Sequence, residues 1–277
     1  MSKKVCVVIP VHSAAPEYYE LISFQQCFKV LGKHPIYIVA PKGLDLSAYK
    51  ALVPEFNVKY IDKKWQASKL DYNKLKMSQY FYKLFQQYEY LLTYELDAFI
   101  FSDQLEHWCN KGYDYIGAPW FDNVPADEAK IIGVGNSGFS LRNIKTMQQC
   151  LKKVYYVDPT KHSVFRQQKW IMKFKGPIFK QLRKLSRLKS LLYTENATIQ
   201  KAGFLFEDKV VFEFMAPAFL GFKLAPVTDA YQFSFEVNPV VLYQMNADKL
   251  PMGCHAWWLY DNLEFWKPFI ENYGYRL

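Results

Sequence analysis

YLLTYELDAFIF, residues 90–101, is an apolar run with two acids, Glu95 and Asp97, set inside it. A continuous apolar stretch of this length predicts a strand buried on both faces, as in a parallel sheet. Residues two apart in a strand share a face, so the two carboxylates are expected to emerge together. Unpaired charges are costly to bury. The run therefore predicts a strand that opens on a cleft, where the acids meet a cation. Oxygen pairs of this kind suit Mg²⁺ or Mn²⁺. The competing reading of an isolated Glu-x-Asp is a strand-end pair held by backbone or by a lysine.

The surroundings extend the sheet. Residues 5–11 (VCVVIPV) form another continuous apolar run and predict the first buried strand. Residues 16–31 carry Leu21, Phe24, Phe28 and Leu31 on one helical face, with Gly32 as a stop. Residues 35–40 and 57–61 read as further strands, and strand–helix–strand order opens an α/β sheet. The pattern predicts one helix over 73–87, a short helix over 103–111, and strand and turn over 112–120. Residues 131–142 read as a glycine-punctuated loop leading into a strand, followed by a helix over 144–154. Residues 204–214 (FLFEDKVVFEF), residues 223–227 and a Pro/Gly/Trp-rich tail complete the chain.

The chain has 277 residues, enough for a large core without disulfide or metal staples. Its five cysteines form no Cys-x-x-Cys pair, which argues against a zinc ribbon or a disulfide framework, and Cys6 reads as a small core residue. The 18% aromatic content fits rings in the core and equally rings in a sugar-binding cleft. The start, Met1-Ser2-Lys3-Lys4, has no signal-peptide pattern, and no 18-residue apolar run occurs, so a cytoplasmic location is expected.

The net charge of +9 is local. Ten Lys or Arg and no acids lie in residues 161–189; taking those ten from the total of 35 leaves 25 basic against 26 acidic residues. From Pro177 onward, Leu182, Leu185, Leu188 and Leu192 recur at helical spacing among basic residues. Residues 161–193 thus predict a basic amphipathic helix suited either to an anionic membrane surface or to packing with a solvated basic face. No nucleic-acid motif accompanies the run, so nucleic acid is not expected as a partner.

Three more groups carry chemistry. Gly133-Val134-Gly135-Asn136-Ser137-Gly138 allows close backbone approach to a ligand. It sits mid-chain and leads into a strand, which argues against a dinucleotide fingerprint and leaves a sugar-contacting loop or a plain hairpin connection. Glu207-Asp208 offers a carboxylate as general base, or else acids at a helix start. His255, in Gly253-Cys254-His255-Ala256-Trp257, is a candidate metal or phosphate contact, with a structural hydrogen bond as the alternative.

The order of DYNKL (71–75), YELDAF, GYDYIGAPW, GVGNSGFSLR, the Glu-Asp pair and GCHAW resembles a bacterial family of GT-A-type glycosyltransferase-like proteins, carried as a domain of unknown function. The likeness covers nearly the whole chain. It implies a Rossmann-like, mostly parallel central sheet flanked by helices, here with a basic helical insertion. Residues 1–120 would form the nucleotide-binding half and residues 121–277 the acceptor half of one domain.

The resemblance also implies roles. Pro10, Val11 and His12, with Ser13, would meet the nucleotide, and Asn73 and Lys74 would approach the donor. Glu95 and Asp97 stand where the family type has Asp-x-Asp. Asp97 would contact Mn²⁺ or Mg²⁺ and His255 would complete the metal shell, while Glu95 for Asp puts metal use in question. Asn136, Ser137 and Gly138 would lie under the donor sugar. Trp120 and Glu207 would contact a glycan or lipid-linked acceptor, and Asp208 would be the base of an inverting reaction in surface polysaccharide synthesis at the inner membrane face. A non-catalytic sugar-binding relic is the alternative that Glu95 favours. A sugar nucleotidyltransferase fits poorly, because residues 11–16 (VHSAAP) lack a Gly-rich basic loop.

Overall fold

A computed structural model describes residues 3–122, 130–152, 211, 215–216 and 220–277. Its centre is a six-stranded sheet made of β1 (Lys3–Pro10), β2 (Ile36–Pro41), β3 (Asn57–Ile61), β4 (Tyr88–Tyr94), β6 (Tyr115–Gly117) and β9 (Phe139–Asn143). The strand order is β3-β2-β1-β4-β9-β6. The first four strands in that order run parallel, and β9 is antiparallel to both of its neighbours.

The two-residue period of a strand explains the layers. On β1, Val5, Val7 and Ile9 face one core with Ile36, Ile38, Leu92 and Tyr94. Helices α1 (Tyr18–Leu31) and α5 (Leu105–Lys111) close that face through Phe24, Cys27, Leu31 and Trp108. Cys6 and Val8 point the other way, into a second core with Val39 and Leu91. That face is covered by α3 (Lys69–Lys76), α4 (Gln79–Lys83) and α6 (Ile144–Lys152). Both faces of β1 and β2 are buried, so these two strands read as apolar runs.

Several expected boundaries move. The helix expected over 73–87 is two helices. Ser78 Oγ accepts from Phe81 N and donates to Leu75 O, which caps α4 and ends α3. The run 90–101 is not one strand. β4 stops at Tyr94, residues 95–98 turn with Ala98 N donating to Glu95 O (2.9 Å), and β5 (Phe99–Ile100) joins another sheet. Glu95 and Asp97 therefore lie on a turn and not along a strand. Tyr94 Oη reaches both Ser23 O and Ala98 O and stitches that turn to α1.

The glycine-rich stretch begins as a strand, β8 (Ile131–Val134), paired with β7 (Pro119–Phe121). The tail is regular too: α7 (Val227–Phe233), β10 (Ser234–Phe235), α8 (Pro239–Met245), β11 (Gly253–Cys254) and α9 (Leu263–Glu271). Sheet β10-β11-β5 supports an aromatic third core of Phe99, Phe101, Phe235, Trp257 and Trp266. Among the described residues no helix is long and apolar enough to cross a membrane. The basic segment 161–193 lies outside the described residues, as do Glu207 and Asp208.

Candidate active site

A cleft of about 750 Å³ opens beyond the carboxyl ends of β1 and β4, between Pro10 and Glu95. This is where open α/β sheets bind ligands, and the size suits a nucleotide-sized one.

One wall is a single face of α3. Lys69, Tyr72, Asn73 and Lys76 recur at helical spacing and all line the cleft. Ser68 Oγ caps this helix by accepting from Asp71 N at 3.1 Å. Lys74 lies off that face, and its ammonium sits 2.7 Å from Asp71 Oδ1, outside the cleft. Lys76 Nζ instead enters the site, 2.9 Å from Glu95 Oε1, 3.0 Å from Ser137 Oγ and over the Tyr72 ring.

The opposite wall comes from two motifs that pack on each other. Gly135 N and Asn136 N both donate to Ala118 O, at 3.0 and 3.1 Å. Any side chain at Gly117 would strike the Asn136 backbone. Buried Arg142 donates to Ser137 O (3.2 Å) and Ser140 Oγ (3.0 Å), which fixes the loop from below. Glu95 N donates to Gly138 O at 2.9 Å, one step beyond the β4–β9 pair Tyr94–Phe139. That bond sets residues 136–138 beside the Glu95-Leu96-Asp97 turn.

Glu95, Asp97 and His255 converge. One ligand atom of each lies within 4.8 Å of the others. His255 Nε2 is 3.0 Å from Asp97 Oδ1 and 3.7 Å from Glu95 Oε2. Proximity is not matched by direction, because this buried nitrogen has no hydrogen-bond partner. Two carboxylates and an imidazole nitrogen this close together fit a divalent cation such as Mn²⁺ or Mg²⁺.

Burial works against charge on Glu95, but the Lys76 ammonium and His255 outweigh it and hold the carboxyl well below its usual range. Burial also opposes charge on His255; Asp97 first, then Glu236 and Glu95, push its pKa well above the ordinary value.

The remaining expected residues divide. Pro10, His12, Asn73, Asn136, Ser137 and Trp120 line the cleft with Glu95, Asp97 and His255. Val11 is fully buried in the core below it. Gly138 lies against His255 at Nε2, where an added Cβ would run into the imidazole. Lys76, Glu236, Trp258 and Tyr260 also line the cleft and were not foreseen. Lys76 was within reach, since it lies one turn after Asn73. Glu236 carried only the weak signal of a lone acid in an apolar stretch.

The fold is that of the GT-A glycosyltransferases. The structure matches galactosyltransferase LgtC in complex with donor and acceptor sugar analogs at a TM-score of 0.50 and 13% identity, over 96% of this chain and 94% of that one. It matches an active-site mutant of LgtC at the same score and identity, over 97% and 95% of the two chains. Identity this low establishes the fold alone. No curated protein matches the chain by sequence. A family model described as protein of unknown function (DUF5672) matches residues 55–255, a span that holds Lys76, Glu95, Asp97, Glu236 and His255, and the chain belongs to that family.

Proposed function

We propose that the chain is a glycosyltransferase that moves a sugar from a nucleotide-sugar donor to a glycan or lipid-linked acceptor. The observation that carries this reading is the convergence of Glu95, Asp97 and His255 in a nucleotide-sized cleft, with the Lys76 ammonium beside them.

In this reading Asp97, His255 and Glu95 hold Mn²⁺ or Mg²⁺. A bound cation would neutralise the donor diphosphate and favour its departure. Pro10 and His12 line the nucleotide end, and Asn136 and Ser137 lie against the donor sugar. Lys76 holds Glu95 in place and puts a fixed positive charge beside the leaving group, and Lys74, on the same helix, adds positive charge near the donor. Trp120 offers a ring face to the acceptor.

For the acceptor half, Asp208 is proposed as the base that takes the hydroxyl proton, with Glu207 against the acceptor and inversion at the anomeric carbon. Those two roles rest on the family resemblance, since both residues lie outside the described ones. Residues 161–193 are proposed to bring the enzyme to an anionic membrane surface on the cytoplasmic side, near lipid-linked acceptors. Pelleting with anionic vesicles at low salt tests that, and no pelleting contradicts it.

A nucleotide-sugar hydrolysis screen tests the function. Release of sugar from one donor class, with the product anomer read by proton NMR, is the expected result, and inversion predicts the anomer opposite to the donor's. Tight donor binding with no turnover on any donor or acceptor would favour the alternative of a sugar-binding relic, for which the engagement of Glu95 by Lys76 is the supporting observation.

A further inference from the structure

A histidine can offer one ring nitrogen to a cation in a fixed direction only if something holds the other. In His255 that other nitrogen is Nδ1, which lies 3.0 Å from Glu236 Oε1. A carboxylate accepts and does not donate, so Nδ1–H is the donor. With a cation bound, Nε2 on the other side of the ring would offer its lone pair; it is a buried atom that makes no hydrogen bond.

The pairing follows from the sheet. β10 and β11 run parallel with Phe235 opposite Cys254, and His255 N donates to Phe235 O at 2.9 Å. The next residue of each strand, Glu236 and His255, therefore leaves the sheet beside the other. Asn262 Nδ2 locks both exits from behind, donating to Glu236 O (2.8 Å) and Ala256 O (3.1 Å). On the opposite side of the ring stands the bare backbone of Gly138. Glu236 is only 8% exposed, although a carboxylate is costly to bury without a fixed partner.

We propose that Glu236 is the positioning residue of this cleft: its carboxylate fixes the tautomer and ring direction of His255 so that Nε2 faces the cation shared with Glu95 and Asp97. This rests on the metal reading given under the proposed function. Glu236 does not itself join the convergent set, which holds Glu95, Asp97 and His255. Its part is to act through the imidazole.

The test is Mn²⁺ titration of the full chain followed by electron paramagnetic resonance, with pulsed detection of ¹⁴N coupling and thermal unfolding in parallel. Glu236→Met keeps the volume and removes the acceptor. Glu236→Gln keeps an acceptor of the same reach. The wild type is expected to bind Mn²⁺ with a nitrogen coupling. Glu236→Met should weaken binding by about 10–100-fold and lose or alter that coupling, and Glu236→Gln should recover most of both. A folded Glu236→Met variant with wild-type affinity and coupling overturns the role of Glu236 and leaves the metal site standing. A wild type that binds no Mn²⁺ overturns the metal reading and this role with it. If Glu236→Met does not fold, Glu236→Gln decides, since loss of the nitrogen coupling in that variant contradicts the proposal.

Discussion

Lys76 Nζ lies 2.9 Å from Glu95 Oε1, so the first acid of the Glu95-Leu96-Asp97 turn enters the cleft already paired. The lysine side chain is 2% exposed and the glutamate 23%. The ammonium offsets the burial that would otherwise raise the carboxyl's pKa. The lysine partner expected of an isolated two-acid pattern is present for Glu95, while Asp97 faces His255.

Breaking one half of that pair should cost more than removing both. Lys76→Met leaves Glu95 without its ammonium and is expected to destabilise the fold by about 3 kcal/mol, the scale for orphaning a buried charge. Adding Glu95→Gln should restore part of that loss. Urea unfolding of the two single variants and the double variant measures the coupling. Additive losses would show that the pair contributes little.

Gly138→Ala tests the packing behind the metal candidate. The methyl would collide with the His255 ring, held on its other side by Glu236. Overpacking of this kind costs about 1–3 kcal/mol. Mn²⁺ affinity should fall by roughly tenfold or more, because the ligand ring must turn away. Unchanged Mn²⁺ binding in a folded variant would mean that His255 is not a ligand.

Asp208→Asn should leave binding of the donor intact and slow transfer by roughly 10²–10⁴-fold, the range for loss of a general base. Initial rates at saturating donor and acceptor measure this. Near-normal turnover would remove Asp208 from the role.

Away from the cleft, Asp103 joins three groups. His34 Nε2 is 2.9 Å from Oδ2, Lys33 Nζ 3.1 Å, and Leu105 N donates to Oδ1. Burial would raise its pKa, but these partners outweigh it and lower the value from the ordinary 3.8. A lowered folded-state pKa means that its stabilisation is complete above 3.8 and is lost as pH falls through the folded value. Asp103→Asn should therefore be less stable than the wild type at neutral pH, with the gap closing as the pH falls below 3.8 and through the folded value. A gap that stays constant across that range would rule out this ionisation as its source.

The sheet was legible because its signals are local. Residues 5–11 and 35–40 are apolar on both faces, and β1 and β2, each ending at a proline, follow them within two residues. The breaks were not legible. Leu75, Tyr82 and Phe85 keep helical spacing across Ser78 and all stay buried, so only the hydroxyl of Ser78 marks the new start. Leu96 and Ala98 keep the run apolar through a turn that moves the chain to another sheet. In the candidate site, Glu95, Asp97 and His255 came from motif order. Glu236 meets His255 only through the parallel register of β10 and β11, which residue spacing does not encode.

The most direct test of the account is calorimetric titration of nucleoside diphosphates into the wild type and Asp97→Asn, with Mn²⁺ and with chelator. The account predicts saturable binding of at least one nucleoside diphosphate that is strengthened by Mn²⁺, with the metal effect lost in Asp97→Asn. A wild type that binds none of them in either condition, or an Asp97→Asn variant with the same Mn²⁺ dependence as the wild type, would contradict it.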